Sequence, residues 1–153
     1  MMMKKSILAI AALACLAWGC SSDSNDTPPA PKEIPAGTDV RPSWTAPNYD
    51  QYEQIMNVEV VLQDTLTKYA SREDLLCATI GNEVRGVSAG KEIDGQWLFP
   101  LTIASNNAGL AIGLSYYCDK LHRIFTIIQW TTFNATVAPT GEGGLYQPIF
   151  VNN

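Results

Sequence analysis

Two stretches of alternating hydrophobicity decide the fold of this chain: MNVEVVL at residues 56–62 and WLFPLTI at residues 97–103. In both stretches, every second position carries a large apolar side chain. These positions are Met56, Val58, Val60 and Leu62 in the first stretch, and Trp97, Phe99, Leu101 and Ile103 in the second. Successive side chains of a β-strand point to opposite faces, so this period of two predicts strands that each bury one face.

Turn-forming residues separate these stretches from further apolar runs. They lie at residues 81–82, 90–95, 105–107, 119–120 and 141–144. Residues 65–74 have room for a helical turn, but they are too polar and too few for a packed helix. Short strands without a helix to carry a parallel crossover favour antiparallel pairing. The sequence therefore predicts an all-β fold over residues 43–153, an antiparallel β-sandwich that is Ig-like or jelly-roll-like.

The stretch AIGLSYYCDKLHRIFTII at residues 111–128 predicts a hairpin. A two-residue turn at Asp119-Lys120 would place Cys118 opposite Leu121, with a mainly apolar face directed into the core. The other face carries four side chains of mixed character: Tyr117, His122, Thr126 and Trp130. We expect this outer face to be accessible to a ligand, although its mixed character also allows another element to cover part of it.

Residues 1–19 have the three parts of an export signal. Lys4 and Lys5 supply the positive start, residues 7–16 an apolar core that is too short to span a bilayer, and Gly19 a small residue before the cut. A Cys directly after this cut can be acylated, so Cys20 is the predicted lipid anchor. We expect the mature protein to contact the membrane through acyl chains on Cys20, since stable anchoring needs more than one chain.

Residues 20–42 differ in composition from both their neighbours. The cluster SSDSND at residues 21–26 is followed by prolines at positions 28, 29, 31, 35 and 42. Such a segment cannot bury enough apolar surface to fold, and proline keeps it extended. We therefore predict that residues 20–42 form a disordered, extended linker that holds the domain of residues 43–153 away from the membrane.

One part of the chain resembles a β-rich module of exported Bacteroidota proteins. The resemblance lies in CATIGNEVRGV at residues 77–87, followed by Asp94-Gly95 and by LFPLTI at residues 98–103. In that module a Met-containing first strand, here QIMNV at residues 54–58, precedes a Gly-acidic turn and an Arg-Gly-Val strand. The SSDSND cluster also resembles the export signal of surface-exposed lipoproteins of the same group. The resemblance implies a surface or secreted β-module and no particular activity.

The charged residues offer little chemistry for catalysis. The formal net charge of −5 is not suited to a nucleic-acid partner. The chain has one histidine, His122, and the sequence places no nucleophile or second metal ligand beside it. Ten carboxylates are candidates for the acid pair of a glycosidase, but most of them lie in polar turns or on solvated strand faces: Asp50, Glu53, Glu59, Asp64, Glu73, Asp74, Glu83, Glu92, Asp94 and Asp119. We predict no catalytic residue, no metal site and no cofactor.

Two cysteines remain in the domain once Cys15 leaves with the signal and Cys20 is acylated. An exported protein is in a compartment that permits disulfides, but Cys77 and Cys118 both lie in apolar strands, where separate buried thiols are equally ordinary. The sequence does not reveal whether their Cβ atoms come within bonding distance. A Cys77–Cys118 disulfide and two free thiols therefore stay open as alternatives.

Aromatic side chains are the remaining functional signal. Trp44, Tyr49 and Tyr52 lie together at the start of the domain, and flat rings with a polar edge suit sugar faces and peptide partners. A packing role is the alternative for these rings. The sequence thus predicts a non-catalytic binding or adhesion module for a glycan or a surface protein, lipid-anchored at the outer membrane on the cell surface. A structural subunit of an envelope complex is the second hypothesis, and a small glycan-active hydrolase is the third.

Overall fold

The structure is a computed structural model of the 153-residue chain, and it describes residue 30 and residues 32–129, 131–141 and 144–152. The predicted signal peptide, the predicted acylation site Cys20 and the candidate Trp130 lie outside the described residues. Backbone contacts divide the chain into Met1–Lys32 and Glu33–Asn153, and the fold below is that of the second unit. Within the described residues, no helix combines the length and the apolar character needed to cross a membrane.

Nine strands account for most of the regular structure among the described residues. In chain order they are β1 (Gln54–Val61), β2 (Leu75–Ile80), β3 (Glu83–Ala89), β4 (Lys91–Ile93), β5 (Gln96–Ser105), β6 (Ala111–Cys118), β7 (Arg123–Ile127), β8 (Thr131–Thr132) and β9 (Phe150–Asn152). Helical structure in this part of the chain is limited to a 3-10 turn at Tyr49–Gln51 and the single turn α1 at Asp64–Thr67.

The strands form two antiparallel sheets that pack together. The smaller sheet has the order β1-β5-β4, and the larger has the order β3-β2-β6-β7-β9, with β8 pairing beside β6. In the smaller sheet, Val58 lies opposite Leu101 and Val60 opposite Phe99, so the two alternating stretches of the sequence are direct neighbours. The predicted all-β antiparallel sandwich is confirmed.

The core lies between the two sheets. Its members come from the inward positions of β1, β2, β5, β6 and β7, with additions from α1 and the C-terminal segment. The ring of Tyr116 is at its centre, in contact with Phe99, Phe125 and Phe150 at centroid distances of 5.7, 6.0 and 5.6 Å. Full burial of a side chain such as Phe99 contributes roughly 1.5–3 kcal/mol, so this cluster is a major source of stability.

The sandwich is closed on one side where β3 runs beside an edge of β5. On that edge β4 pairs with β5 only from Gln96 to Leu98, so the residues after Leu98 have no strand partner in β4. A β-carbon on Gly86 of β3 would lie 2.1 Å from the carbonyl oxygen of Thr102, so the approach of the two backbones requires glycine. Carbonyl groups on this edge of β5 accept side-chain hydrogen bonds. Tyr49 Oη donates to the Thr102 oxygen at 3.2 Å, and Arg85 Nη1 donates to the Ala104 oxygen at 3.5 Å. We call this region the β3–β5 seam.

The β6–β7 hairpin differs from the prediction in its turn. Cys118 pairs with Arg123 and Tyr116 with Phe125, which leaves a four-residue loop, residues 119–122, in place of the predicted two-residue turn. The His122 N–H donates to the Asp119 carbonyl at 3.2 Å, and His122 has a φ of 46°, a left-handed conformation in which His is found more often than most residues. The pairing moves by two residues, so the predicted inner and outer faces are retained.

Residues 33–42 form an N-terminal strap along the hairpin loop. The N–H of Gly37 donates to the Leu121 carbonyl at 2.7 Å, and the N–H of Asp39 donates to the His122 carbonyl at 2.9 Å. The Asp39 carboxylate in turn accepts from the Ile124 N–H at 2.7 Å, and Ile34 packs against the core. The domain therefore begins at Glu33 rather than at residue 43, and residues 33–42 are not part of a disordered linker.

Candidate functional site

The predicted outer face of the hairpin does not present an aromatic ring to solvent. Tyr117 lies on this face, but it is only 1% exposed. The guanidinium carbon of Arg41, in the strap, lies 6.0 Å from its ring centroid. The prediction that Tyr117 is accessible to a ligand is wrong, because the strap is folded against the domain and its Arg41 packs beside this ring.

The other hairpin candidates are not gathered into a site. His122 is exposed, but it lies in the loop, where its backbone holds the strap. Thr126 is half-buried in β7, opposite Ser115 of β6. Trp130 lies outside the described residues, so the structure does not test its role. The predicted combination of Tyr117, His122, Thr126 and Trp130 therefore has no common surface among the residues that are described.

The second group of candidates, Trp44, Tyr49 and Tyr52, is half-buried. Burial raises the pKa of Tyr49, and its hydroxyl donates to Thr102 in the β3–β5 seam. The ring of Tyr52 lies 4.8 Å from the guanidinium carbon of Arg85. Two of the three rings thus take part in closing the sandwich, which favours the packing alternative for Tyr49 and Tyr52.

Arg85 is the charged residue of the seam. Its Nη2 lies 2.5 Å from the Glu83 carboxylate, and Tyr52 covers its guanidinium. Its Nε is buried and has no hydrogen-bond partner among the described residues. Because the guanidinium already has a carboxylate, a carbonyl and a ring against it, Arg85 acts in the fold and offers little to a ligand.

Asp74 is the one fully buried acid among the described residues, with 0% exposure. Its carboxylate accepts four hydrogen bonds, from Ser71 N (3.0 Å), Ser71 Oγ (2.7 Å), Tyr116 Oη (2.5 Å) and Asp119 N (2.9 Å). Burial, with the adjacent Asp74 charge, raises the pKa of Tyr116, which therefore remains a donor. These contacts join the turn before β2 to the hairpin loop, and they leave the Asp74 oxygens no free position for a substrate.

Both cysteines are buried free thiols. Cys118 belongs to the core cluster, whereas Cys77 lies between Leu76 and Ala78 of that cluster and so points to the opposite face of β2. Burial raises the pKa of Cys77 to about 11. Of the two alternatives that the sequence left open, the structure has the separate thiols. No group of three or more metal-ligating side chains occurs in the described ranges.

A groove of about 540 Å³ opens beside β1, and none of the predicted site residues lines it. Seven residues line it: Val61, Gln96, Thr140, Gly141, Leu145, Tyr146 and Gln147. The segment that carries Tyr146 is fixed against β1, because the Val61 N–H donates to the Tyr146 carbonyl at 2.9 Å and the Tyr146 N–H donates to the Glu59 carbonyl at 2.8 Å. The groove thus has a wall with a defined backbone position.

Some polar groups on the side chains of the groove have no hydrogen-bond partner among the described residues. Tyr146 is half-buried, which raises the pKa of its phenol, and its hydroxyl has no hydrogen-bond partner among the described residues. The carboxamide of Gln96 is exposed and likewise without a partner there. Gln147 Nε2 donates to the Leu62 carbonyl at 3.0 Å, which leaves its side-chain oxygen as an acceptor. The groove therefore brings together an aromatic side chain and uncommitted amide groups.

A local sequence signal for this groove exists. Leu145-Tyr146-Gln147 directly follows the glycine-rich residues 141–144, so an aromatic residue stands immediately after a turn. The signal is weak by itself because the groove also needs β1 and β5, which are distant in sequence.

No protein-family model, no curated protein and no solved structure matches this chain.

Proposed function

We propose that this protein is a non-catalytic binding module, exported and lipid-anchored through Cys20 at the outer membrane, that takes a glycan or a surface protein into the groove beside β1. The observation that carries the proposal is the groove itself, which combines the exposed Gln96, the half-buried Tyr146 and a rigid backbone wall. Concave sites that place a few polar groups around an apolar surface are the usual form of a ligand site.

The side chains that could act in catalysis already make contacts within the fold, and this supports a binding role rather than a catalytic one. The carboxylate of Asp74 is filled by four donors, and Arg85 is paired with Glu83 in the β3–β5 seam. His122 stands in an exposed loop whose backbone holds the strap. General acid–base chemistry needs such groups within hydrogen-bonding distance of a substrate, and Asp74, Arg85 and His122 are not among the described residues that line the groove.

A binding screen tests the proposal. The full chain, purified in detergent, is applied to an array of bacterial and host glycans and to envelope-protein fractions, beside the Tyr146→Ala variant. We expect at least one ligand that binds the parent chain and binds the variant at least about tenfold more weakly. Equal binding of both proteins to every ligand would place the function elsewhere.

The anchor is tested separately. Cys20→Ala should move the protein from the membrane fraction to the soluble fraction, because acyl chains are its proposed membrane contact. Retention of the variant in membranes after an alkaline wash would contradict this part of the proposal.

A second function, a subunit of an envelope complex, is favoured by one observation. Ile128 and Ile149 are 59% and 51% exposed and are adjacent at the end of the β7–β9 pairing, where the Ile128 N–H donates to the Ile149 carbonyl at 3.4 Å. Neighbouring exposed apolar side chains are a feature of protein contact surfaces. Cross-linking in intact cells, with Ile128→Glu as the variant that should abolish the cross-link, distinguishes this function from ligand binding in the groove.

A further inference from the structure

We infer that the outer face of the larger sheet is a docking surface for a second copy of this chain, so that two copies pack face to face. This surface, which we call the β6–β9 face, is formed by outward positions of β6, β7 and β9 and by the residues that extend β7 and β9: Gly113, Ser115, Thr126, Ile128, Ile149 and Val151. The inference rests on the second proposed function and deepens it, since it names the partner of the surface at Ile128 and Ile149. It does not depend on the groove beside β1.

The alternation of the strands places these side chains on the outer face. Phe125 of β7 belongs to the core, so its neighbour Thr126 points outward. Ser115 of β6 and Val151 of β9 lie directly opposite Thr126 on its two sides, and they share its face. Ile128 lies two residues further along the chain and is 59% exposed, in agreement with the same alternation. The β6–β9 face thus extends across three strands.

The β6–β9 face carries no charged side chain at any of its six described positions. The outward residues of the adjoining strand β2, Leu75, Cys77 and Thr79, are uncharged as well. Trp130 follows Ile128 by two positions and lies outside the described residues, but it too is an uncharged residue type. An antiparallel sheet with one face in water normally has charged and strongly polar residues on that face. The composition found here is typical of a sheet that is covered on both faces.

An edge-to-edge contact through β9 is blocked by the side chain of Gln63. The Phe150 N–H donates to Gln63 Oε1 at 2.7 Å, and Gln63 Nε2 donates to the Phe150 carbonyl at 3.2 Å. The carboxamide therefore takes the place that the backbone of a further strand would occupy beside Phe150. Covering an edge in this way protects a sheet from pairing with other chains. A partner is consequently expected on the face of the sheet rather than at its β9 edge.

Charge makes a second copy a suitable partner for this face. The formal net charge of the chain is −5, so two copies repel each other at long range. On a face without charges, two copies touch without bringing like charges together. The same face offers a strongly acidic or basic partner no complementary charge. The charge distribution therefore favours a second copy over a charged envelope protein.

The position of the strap allows two copies to share one membrane. The strap is bound to the loop between β6 and β7, where the N–H groups of Gly37 and Asp39 donate to the carbonyls of Leu121 and His122. Two identical faces pack about a two-fold axis that lies within the interface. When this axis runs parallel to the strands, both straps lie at the same end of the dimer, so the proposed Cys20 anchors of both copies reach the same bilayer. Sheets packed face to face keep their strands within about 30° of each other, which is compatible with this axis.

The size of the face predicts a weak dimer. The neighbouring strands β2, β6, β7 and β9 give a face of roughly 300 Å² per copy, at about 4.8 Å between strands and about five residues in each, against roughly 800 Å² per partner in stable complexes. Attachment of both copies to one membrane raises their effective concentration, as linking two binding modules does. We therefore expect dimers in concentrated solution and on the membrane, and monomers in dilute solution.

The test is sedimentation equilibrium of the mature protein in density-matched detergent, from about 10 μM to about 1 mM. We expect the parent to change from monomer to dimer over this range. Ile128→Glu and Ile149→Glu should each raise the dissociation constant at least about tenfold, because a carboxylate would lose hydration in the interface without gaining a counter-charge. Ile93→Glu is the matched control. Ile93 is 51% exposed, as Ile149 is, but it belongs to β4 of the smaller sheet, so this variant should dimerise as the parent does.

The outcomes separate the inference from the proposed functions. A parent that stays monomeric up to about 1 mM overturns the inference and leaves ligand binding in the groove to the glycan screen. A dimer that persists in both Ile128→Glu and Ile149→Glu places the interface elsewhere and also overturns it. An equal loss of dimer in Ile93→Glu would assign the effect to added charge and contradict the role of the face. Thermal melting of each variant shows that a lost dimer is not lost folding.

The cross-link in intact cells identifies the partner independently. We expect a product with twice the mass of the chain, which is lost in Ile128→Glu. If the cross-link instead captures a different envelope protein and no second copy, the second proposed function stands and the inferred partner is wrong.

Discussion

The guanidinium of Arg41 lies 6.0 Å from the ring centroid of Tyr117, so the N-terminal strap reaches the outer face of the larger sheet. The same guanidinium donates to the Glu73 carbonyl and lies 3.6 Å from the Asp119 carboxylate. Arg41 thus connects the strap to the turn before β2 and to the hairpin loop. These contacts make the strap part of the folded domain.

Replacement of Arg41 should loosen the strap. Arg41→Ala should lower the free energy of unfolding by about 1 kcal/mol, since the partners are partly solvated, and should increase proteolytic cleavage within residues 33–42. Val40→Ala, at a side chain that is 84% exposed, is the control and should change neither quantity. Urea denaturation and limited proteolysis followed by mass spectrometry measure both effects. Trimming of the parent protein up to residue 42 would contradict the integral strap.

The strap shows why part of the domain boundary was not predictable. Its sequence is rich in proline and small residues, which is typical of linkers, and one apolar side chain, Ile34, packs against the core. Its attachment is mainly through backbone groups, such as Gly37 N–H to Leu121 and Asp39 N–H to His122. Any residue other than proline can make such bonds, so they leave no pattern in the sequence.

The sandwich itself was predictable because its signal is local. The alternation of Met56, Val58 and Val60 places these residues on one face of β1, and the structure buries all three. The register of the β6–β7 hairpin was harder to predict from the sequence, because it depends on whether His122 adopts a positive φ. The groove at Tyr146 was not predictable, since it forms only where the C-terminal segment returns to β1.

The close approach at the β3–β5 seam gives a second prediction. Gly86→Ala should destabilise the domain by about 3 kcal/mol or more, because the new methyl group would meet the rigid backbone oxygen of Thr102 at 2.1 Å. Gly95→Ala has open space around its β-carbon but a φ of 78°, and should cost only about 1–2 kcal/mol through backbone strain. The ranking is read from thermal or chemical unfolding. An equal cost for both substitutions would argue against the steric account of the seam.

The buried thiols give a third prediction. Mature protein, cleaved before an acylated Cys20, should not react with a thiol reagent at pH 8 in its native state. After denaturation both Cys77 and Cys118 should react without prior reduction, because they are buried free thiols. Finding no reactive thiol in the denatured chain would indicate a disulfide instead.

Stability should also fall at alkaline pH. Burial raises the pKa of Cys77 from 9.0 to about 11, so this thiol ionises at a lower pH in the unfolded chain than in the folded one. Its contribution to the free energy of unfolding is therefore fully present below pH 9 and is lost as the pH rises to about 11. The loss from this group is at most roughly 2–3 kcal/mol. Cys77→Ala should flatten the decline between pH 9 and 11 in urea denaturation curves. The same slope in variant and parent would assign the decline to other groups.

The hairpin faces give a fourth prediction. Phe125→Ala should cost about 3–5 kcal/mol, since Phe125 packs on Tyr116 in the core. Ile128→Ala, on the exposed end of the same segment, should cost less than about 1 kcal/mol. Chemical denaturation ranks the two variants. A reversed order would mean that β7 has its faces exchanged.

Hydrogen exchange of the full chain, with and without a glycan that the binding screen identifies, is the sharpest test of a ligand site at Tyr146, because it locates a bound ligand without any substitution. We expect slower exchange in residues 144–147 and in the adjoining segments of β1 and β5 that line the groove, with little change in the β6–β7 hairpin or the strap. Protection confined to the hairpin, or to the exposed β7–β9 edge, would contradict a ligand site at Tyr146.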